Sequence, residues 1–432
     1  MQIPYPSVAA ERGLAERAGA GSYAWLVFAL TFGLLLSDYM SRQVLNAVFP
    51  LLKVEWGLSD TRLGALSSVV SFAVGALAFP LSLLADRWGR LRSLVVMAAL
   101  WSLATLACGL ATNFEQMFAA RFLVGLGEAA YGSVGLAVVL GVFPVRMRAT
   151  ISGAFLAGGM VGSVLGISIG GFVAAQFGWR EAFIGMALFG ILLTVIYPLV
   201  VKESSLARHE AAAKRADGAT SRPRLRAIVS SRSVICAYVG SGVQVFISGA
   251  LLAWLPSYLN RDYGMTVAGA GLLAAIFVLS SAAGMTICGS LSDRVGRDSP
   301  RTKLTLAIVY CLSCCVLLSA AFFLPPGLPQ LVLIALGMFF GAGTVGPAGA
   351  MVANLTPAPL HGSAFGTLSL ANNLLGLAPG PIVTGLLADA FGLSVALQLV
   401  PLVSLVAAGI FAMARRSYQQ DLQRLGWRAD AA

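Results

Sequence analysis

Leu84-Ala85-Asp86-Arg87-Trp88-Gly89-Arg90 returns 207 positions later as Leu291-Ser292-Asp293-Arg294-Val295-Gly296-Arg297, and each copy sits between two long apolar runs. A second echo pairs Gly162, Gly166, Gly171, Phe177 and Gly178 with Gly376, Gly380, Gly385, Phe391 and Gly392 at a constant offset of 214. Both offsets are about half of the 432 residues, so the chain reads as two copies of one unit.

The unit is a membrane unit. Apolar residues make up 58% of the chain and charged residues only 11%, which excludes an ordinary soluble domain. The apolar residues fall in twelve stretches, about 24–50, 60–85, 91–112, 114–142, 150–175, 179–201, 232–260, 266–291, 302–324, 328–355, 363–388 and 392–414. Each is long enough to cross a hydrocarbon core of about 30 Å as a helix. Shorter segments of alternating polarity, which a transmembrane barrel needs, are absent from the sequence. The reading is an all-α membrane protein of twelve transmembrane helices in two pseudo-symmetric six-helix bundles, an architecture typical of secondary transporters.

The formal charge of +11 is a topology signal and not a nucleic-acid footprint. Of 29 Lys and Arg residues, 23 fall in the two tails and the even-numbered connections. Lys53, Arg62, Arg180 and Arg261 fall on the other side, and Arg42 and Arg121 lie within helices. The positive-inside rule then expects both termini in the cytoplasm and a multi-pass protein of the cell inner membrane. Residues 1–23 are polar and the first apolar run is full length, so no cleavable signal peptide is expected.

The expected organisation is an N-terminal six-helix bundle over 1–201, a cytoplasmic linker over 202–231, a C-terminal bundle over 232–414 and a cytoplasmic tail over 415–432. The linker carries Lys202, Arg208, Lys214, Arg215, Arg222, Arg224 and Arg226 among Ala, Ser and Gly, and reads as a solvated connector attracted to the membrane surface. In the tail, Leu422, Leu425 and Trp427 are spaced for a short interfacial helix. The six cysteines all lie in spans and read as small buried hydrophobes. Cys311, Cys314 and Cys315 share a helix face, but no metal site or cofactor is expected. A G-x-x-x-x-G-K-[ST] loop is absent, which argues against a primary pump, and no nucleophile constellation supports an enzyme.

In the repeated heptapeptide, Gly89 and Gly296 permit a tight turn. Asp86, Arg87, Arg90, Asp293, Arg294 and Arg297 are then candidates for a charged cytoplasmic gate that pairs acids with nearby arginines or helix N-termini. This Asp-Arg-x-Gly-Arg pattern, with the twelve spans around it, closely resembles the signature of the major facilitator superfamily over essentially the whole chain. One departure is visible: the family's glycine four residues before the Asp is kept as Gly289 but replaced by Ser82 in the first half.

The first half also carries charge inside the membrane, where an unpaired ion at a helix centre costs about 2.5–3.5 kcal/mol on insertion scales. Asp38 and Arg42 are four apart on the first span, and Arg121 and Glu128 seven apart on the fourth, so each pair shares a helix face. Both acids should lie near the bilayer midplane. The quartet sums to zero when ionised. Protonating one acid would leave net positive charge in a low-dielectric cavity and attract an anion, which is a workable coupling scheme. An Asp38–Arg42 pair that only pins helix packing is the plainer alternative. His209 and His361 fall in loops and do not compete as proton carriers.

The run Arg121-Phe-Leu-Val-Gly125-Leu-Gly127-Glu128-Ala-Ala-Tyr131, and Ser248-Gly249-Ala-Leu-Leu-Ala-Trp254-Leu-Pro256-Ser-Tyr258, resemble Spinster-type transporters. Organic-anion/proton symporters of the superfamily share the Arg121…Gly127-Glu128 run and Phe177-Gly178-Trp179-Arg180. The resemblance implies proton-coupling roles for Glu128 and Asp38 and substrate roles for Arg42 and Arg121. It is broken at one point: the family's Asp directly precedes the Arg, where this chain has Ser41, with the acid at Asp38 instead. Glycines at 153, 162, 166, 170 and 171 match a pattern typical of drug/proton antiporters, except that Ile167 stands in place of Pro. Close helix packing explains them equally. Tyr131, Gln244, Trp254, Tyr258, Asn372 and Asn373 are further cavity candidates.

The expectation is a monomeric carrier in which two bundles rock about a midplane site. It would move a small or amphipathic organic anion, coupled to protons, in contact with membrane lipids. A Spinster-like carrier of lysolipids or sphingoids and a drug/proton antiporter are the alternatives.

Overall fold

The computed structural model describes residues 21–201, 228–229, 231–296, 300–357 and 360–424. Most of the expected linker, Arg297 and the tail beyond 424 lie outside them, as does the side chain of Asp86. Among the described residues, twelve helices are long and apolar enough to cross a membrane. They are α1 (Ser22–Trp56), α2 (Asp60–Trp88), α3 (Arg90–Leu110), α4 (Phe114–Val142), α5 (Arg148–Phe177), α6 (Trp179–Val200), α7 (Arg232–Tyr263), α8 (Val267–Val295), α9 (Pro300–Phe323), α10 (Leu328–Leu355), α11 (His361–Phe391) and α12 (Leu393–Gln423). They run alternately up and down, so α1 starts and α12 ends at one face, here called the near face; the opposite one is the far face.

The two halves repeat one packing scheme. In the first, α1 lies on α5, α3 on α6 and α2 on α4; in the second, α7 lies on α11, α9 on α12 and α8 on α10. The halves meet where α5 packs on α8 and α2 on α11. In lipid, helices gain little from hiding apolar surface, so close approach through small residues carries the association. At Gly166 of α5, an added Cβ would sit 2.7 Å from the Met40 Cα of α1, too near for any side chain.

Register marks expose the repeat. Gly57 and Gly264 end α1 and α7 in the left-handed conformation, at φ 62° and 64°, again 207 apart. The helical hydrogen bonding of α4 breaks at Ala129-Ala130, and that of α10 at Gly343-Thr344, 214 apart. A π-helical turn over Asn373–Leu377 interrupts α11 and has no counterpart in α5.

The last helix runs on to Gln423, past the span end at 414 that hydropathy suggests. Tyr418, Asp421 and Leu422 are buried there, and Asp421 Oδ2 accepts from Ser233 N (3.0 Å) and Oγ (2.6 Å) at the start of α7. A carboxylate at a helix N-terminus satisfies donors that have no partner within the helix.

Candidate functional site

A cavity of about 240 Å³ lies between the halves, midway along the helices. Its first-half wall includes Tyr39, Arg42, Gln43 and Asn46 of α1, Ser67 and Ser71 of α2, and Arg121 of α4. Behind it, Arg42 Nε lies 3.1 Å from Glu128 Oε2. The Arg42 side chain keeps 15% exposure while that of Glu128 has 2%, so the cation borders the cavity and the acid stands behind it. Arg42 Nη2 donates to Ser71 Oγ at 3.3 Å, and its guanidinium lies 6.0 Å from the Tyr39 ring.

Local sequence explains this placement. Glu128 ends the first helical segment of α4, at the break. Gly125 and Gly127 let α4 press against both neighbours: a Cβ at Gly125 would lie 2.7 Å from the Val70 carbonyl of α2, and one at Gly127 would lie 2.7 Å from the Trp101 amide of α3. The glycines thus drive the carboxyl-bearing end of the segment into the first bundle.

Asp38 is 6% exposed and its carboxyl lies against that of Glu128. Asp38 Oδ1 and both Glu128 oxygens accept no hydrogen bond, since the Arg42–Glu128 contact is an ion pair by distance without hydrogen-bond alignment. Two carboxyls thus face one guanidinium, and a proton on either would supply a donor to the other. Arg42 pairs with Glu128 across two helices, and not with Asp38 along its own.

Arg121 is placed differently from the quartet expected above. It is 1% exposed, and its guanidinium is spent on main-chain carbonyls: Nη1 donates to Ser41 at 2.9 Å, Nη2 to Arg42 at 3.3 Å and Nε to Leu66 at 3.4 Å. It braces the α1 turn that carries Arg42 and forms part of the cavity wall.

The other candidates point elsewhere. Tyr131 is fully buried inside the first bundle; its hydroxyl donates to the Thr31 carbonyl at 2.7 Å and its ring meets Trp101 edge-on. Gln244 accepts from Ser404 of α12 (3.1 Å), and Tyr258 accepts from Gln330 of α10 (2.8 Å), both within the second bundle. Trp254 donates to the Pro381 carbonyl at 2.9 Å and packs on Phe49 of α1 across the two halves. Asn372 accepts from Ser241 at 2.8 Å, and Asn373 sits in the π-turn with its amide on the Ser369 carbonyl. None of these six borders the cavity. At the near face, Arg87 and Arg294 are exposed, Arg90 is partly buried, and Asp293 pairs with Lys303 of its own half at 2.6 Å.

The far face carries a polar latch that the sequence reading missed. Asp60, 3% exposed at the start of α2, receives Lys53 at 2.6 Å and both terminal nitrogens of Arg261 of α7 at 2.7 and 2.8 Å. Asp389 of α11 accepts from the Asp60 and Thr61 amides at 2.7 and 2.8 Å and from the Thr61 hydroxyl at 2.6 Å. Below it, Ile382 N donates to Ser68 Oγ at 3.2 Å. The signal available in sequence was two acids and two cations at span ends on the charge-poor side.

A family model described as "Major Facilitator Superfamily" matches residues 31–339 and 243–427. The chain is 30% identical to the probable L-galactonate transporter of Escherichia coli (strain K12), over 68% of this chain and 66% of that one. It is 25% identical to the hexuronate transporter of Bacillus subtilis (strain 168), over 82% and 86%. A crystal structure of a bacterial homologue of the human lysosomal transporter Spinster, inward-facing and occupied, superposes with TM-score 0.82 at 20% identity, over 93% of this chain and 99% of that one.

Proposed function

The chain belongs to the Major Facilitator Superfamily, and on that premise we propose that it carries a small organic anion across the inner membrane together with a proton, both termini being cytoplasmic. The observation that carries this reading is Arg42, a cation on the cavity wall with a carboxylate partner behind it. The names of the galactonate and hexuronate relatives support an acid as cargo.

The exchange follows from electrostatics. A buried charge stripped of its partner costs about 3–5 kcal/mol, so Arg42 gives up Glu128 only as a substrate carboxylate takes its place. Glu128, released, takes a proton and donates it toward Asp38. Loss of that proton restores the carboxylate, which reclaims Arg42 and expels the anion. Proton and anion therefore enter and leave together. Arg121, held on main-chain carbonyls, keeps the positive potential of the site constant through the cycle. Alternating access would open the far-face latch while the near face closes.

Uptake of radiolabelled D-glucuronate and phenylacetate into proteoliposomes tests this. An imposed pH gradient, acid outside, should drive accumulation of at least one, and collapsing the gradient should abolish it. In Glu128→Gln, exchange across equilibrated membranes should persist while accumulation is lost. Accumulation that ignores both the gradient and the substitution sinks the coupling.

A further inference from the structure

We infer that the anion carried has an apolar body, as in an aromatic or branched aliphatic monocarboxylate, and is not a polyhydroxylated acid. This rests on the anion-carrier reading above and narrows it.

The two walls of the cavity differ in kind. The first half contributes two cations, a tyrosine and two amides among its polar side chains: Arg42, Arg121, Tyr39, Gln43 and Asn46. The second half contributes Val245, Leu252, Val278, Met285, Met338 and Leu377, and its polar side chains on the wall are two serines, 248 and 281. No amide, carboxylate or cation of the second half lines it. Of the polar side chains this half owns nearby, Asn372 Oδ1 accepts from Ser241 and Gln244 Oε1 from Ser404; the Gln244 amide nitrogen is buried without a partner, and neither residue lines the cavity.

The internal repeat shows the difference at matched positions. In the register set by Gly57 and Gly264, Asp38 corresponds to Val245 and Arg42 to Gly249. In the register set by the α4 and α10 breaks, Glu128 corresponds to Ala342. Val245, Gly249 and Ala342 all border the cavity. One half therefore presents charge where the other presents methyl groups or bare backbone. A carboxylate seated on Arg42 must direct the rest of the molecule at this second wall. Hydroxyls placed there would find only the Ser248 and Ser281 side chains as partners and would lose most of their water uncompensated, while an apolar body loses nothing. Methionine side chains, unbranched and polarizable, accommodate flat or irregular shapes on such a wall. The volume, about 240 Å³, suits a compact molecule.

Binding of phenylacetate, 4-methylpentanoate, D-gluconate and D-glucuronate to the purified full-length protein, by isothermal titration at pH 5.5, tests the inference. The first two should bind at least tenfold tighter than the last two. In Leu252→Asn and Met338→Gln, which put an amide on the second wall, that ratio should fall severalfold while Arg42→Gln weakens every ligand. Gluconate or glucuronate binding as tightly as phenylacetate, in an Arg42-dependent manner, overturns the apolar-body inference and leaves the anion-carrier reading standing. Failure of all four anions to bind overturns both.

Discussion

Asp389, near the end of α11, caps α2 by accepting from the main-chain amides of Asp60 and Thr61, so a carboxylate of one half closes a helix N-terminus of the other. Such a cap contributes about 1 kcal/mol, and a charge at the helix end about 0.3–1 kcal/mol more. Asp389→Ala should therefore shift the balance away from the far-face-closed state by roughly 9- to 30-fold. All six native cysteines are buried. Spin labels on Val54→Cys and Phe391→Cys, both exposed positions on opposite halves, should attach selectively and report a longer-distance population that grows in the variant. An unchanged distance distribution would remove the latch as a determinant of state.

Arg42 works with two of its nitrogens, Nε toward Glu128 and Nη2 toward Ser71. A lysine offers one compact ammonium and cannot hold both while facing the cavity. Arg42→Lys should weaken anion binding by about 10- to 100-fold, or about 1.4–2.8 kcal/mol. Arg42→Gln should also destabilise the fold, because it strips the Glu128 carboxylate of its cation. Calorimetry for affinity and thermal unfolding for stability separate the two effects: the lysine variant should lose the first and keep most of the second.

Two glycine substitutions with opposite signs test how the site is positioned. At Gly127 an added methyl collides with the Trp101 backbone, which cannot yield as a flexible side chain does. Gly127→Ala should cost about 1–3 kcal/mol by overpacking and displace Glu128 from Arg42, lowering both melting temperature and transport. At Gly153, on α5, a Cβ meets nothing within 4 Å. Gly153→Ala should stabilise by about 0.5–1 kcal/mol through backbone entropy, with transport unchanged.

The spans were legible because a helix in lipid needs about 20 apolar residues and little else looks like that. Asp38, Arg42 and Glu128 were legible because ionised groups at that depth are too costly to be incidental. What could not be read was rotation. These helices are apolar nearly all round, so the pattern does not say whether Gln244 or Tyr258 turns toward the cavity or into its own bundle. The Asp389–Asp60 contact joins residues 329 apart, and only the packing of α2 on α11 brings them together. The join between the last span and its tail is hidden for a related reason: hydropathy ends the span at 414, and nothing in the pattern says that the helix continues unbroken and seats Asp421 on Ser233.

Tyr131 sharpens the point about rotation. Three residues past Glu128, it looks like a cavity residue in sequence, yet its hydroxyl donates to the Thr31 carbonyl deep in the first bundle. Removing that hydroxyl leaves one buried acceptor short of a donor, a loss of about 0.5–1.5 kcal/mol. Tyr131→Phe should thus lower the melting temperature slightly and leave anion affinity within twofold of the parent, the reverse of the Arg42→Lys pattern. The Thr31 hydroxyl already contacts Tyr197 at 3.0 Å, so Tyr197→Phe should produce a second small stability loss in the same network, less than additive with the first. A tenfold change in affinity for Tyr131→Phe, with stability preserved, would instead place the tyrosine hydroxyl at the substrate and require α4 to turn by a large fraction of a helical turn during the cycle.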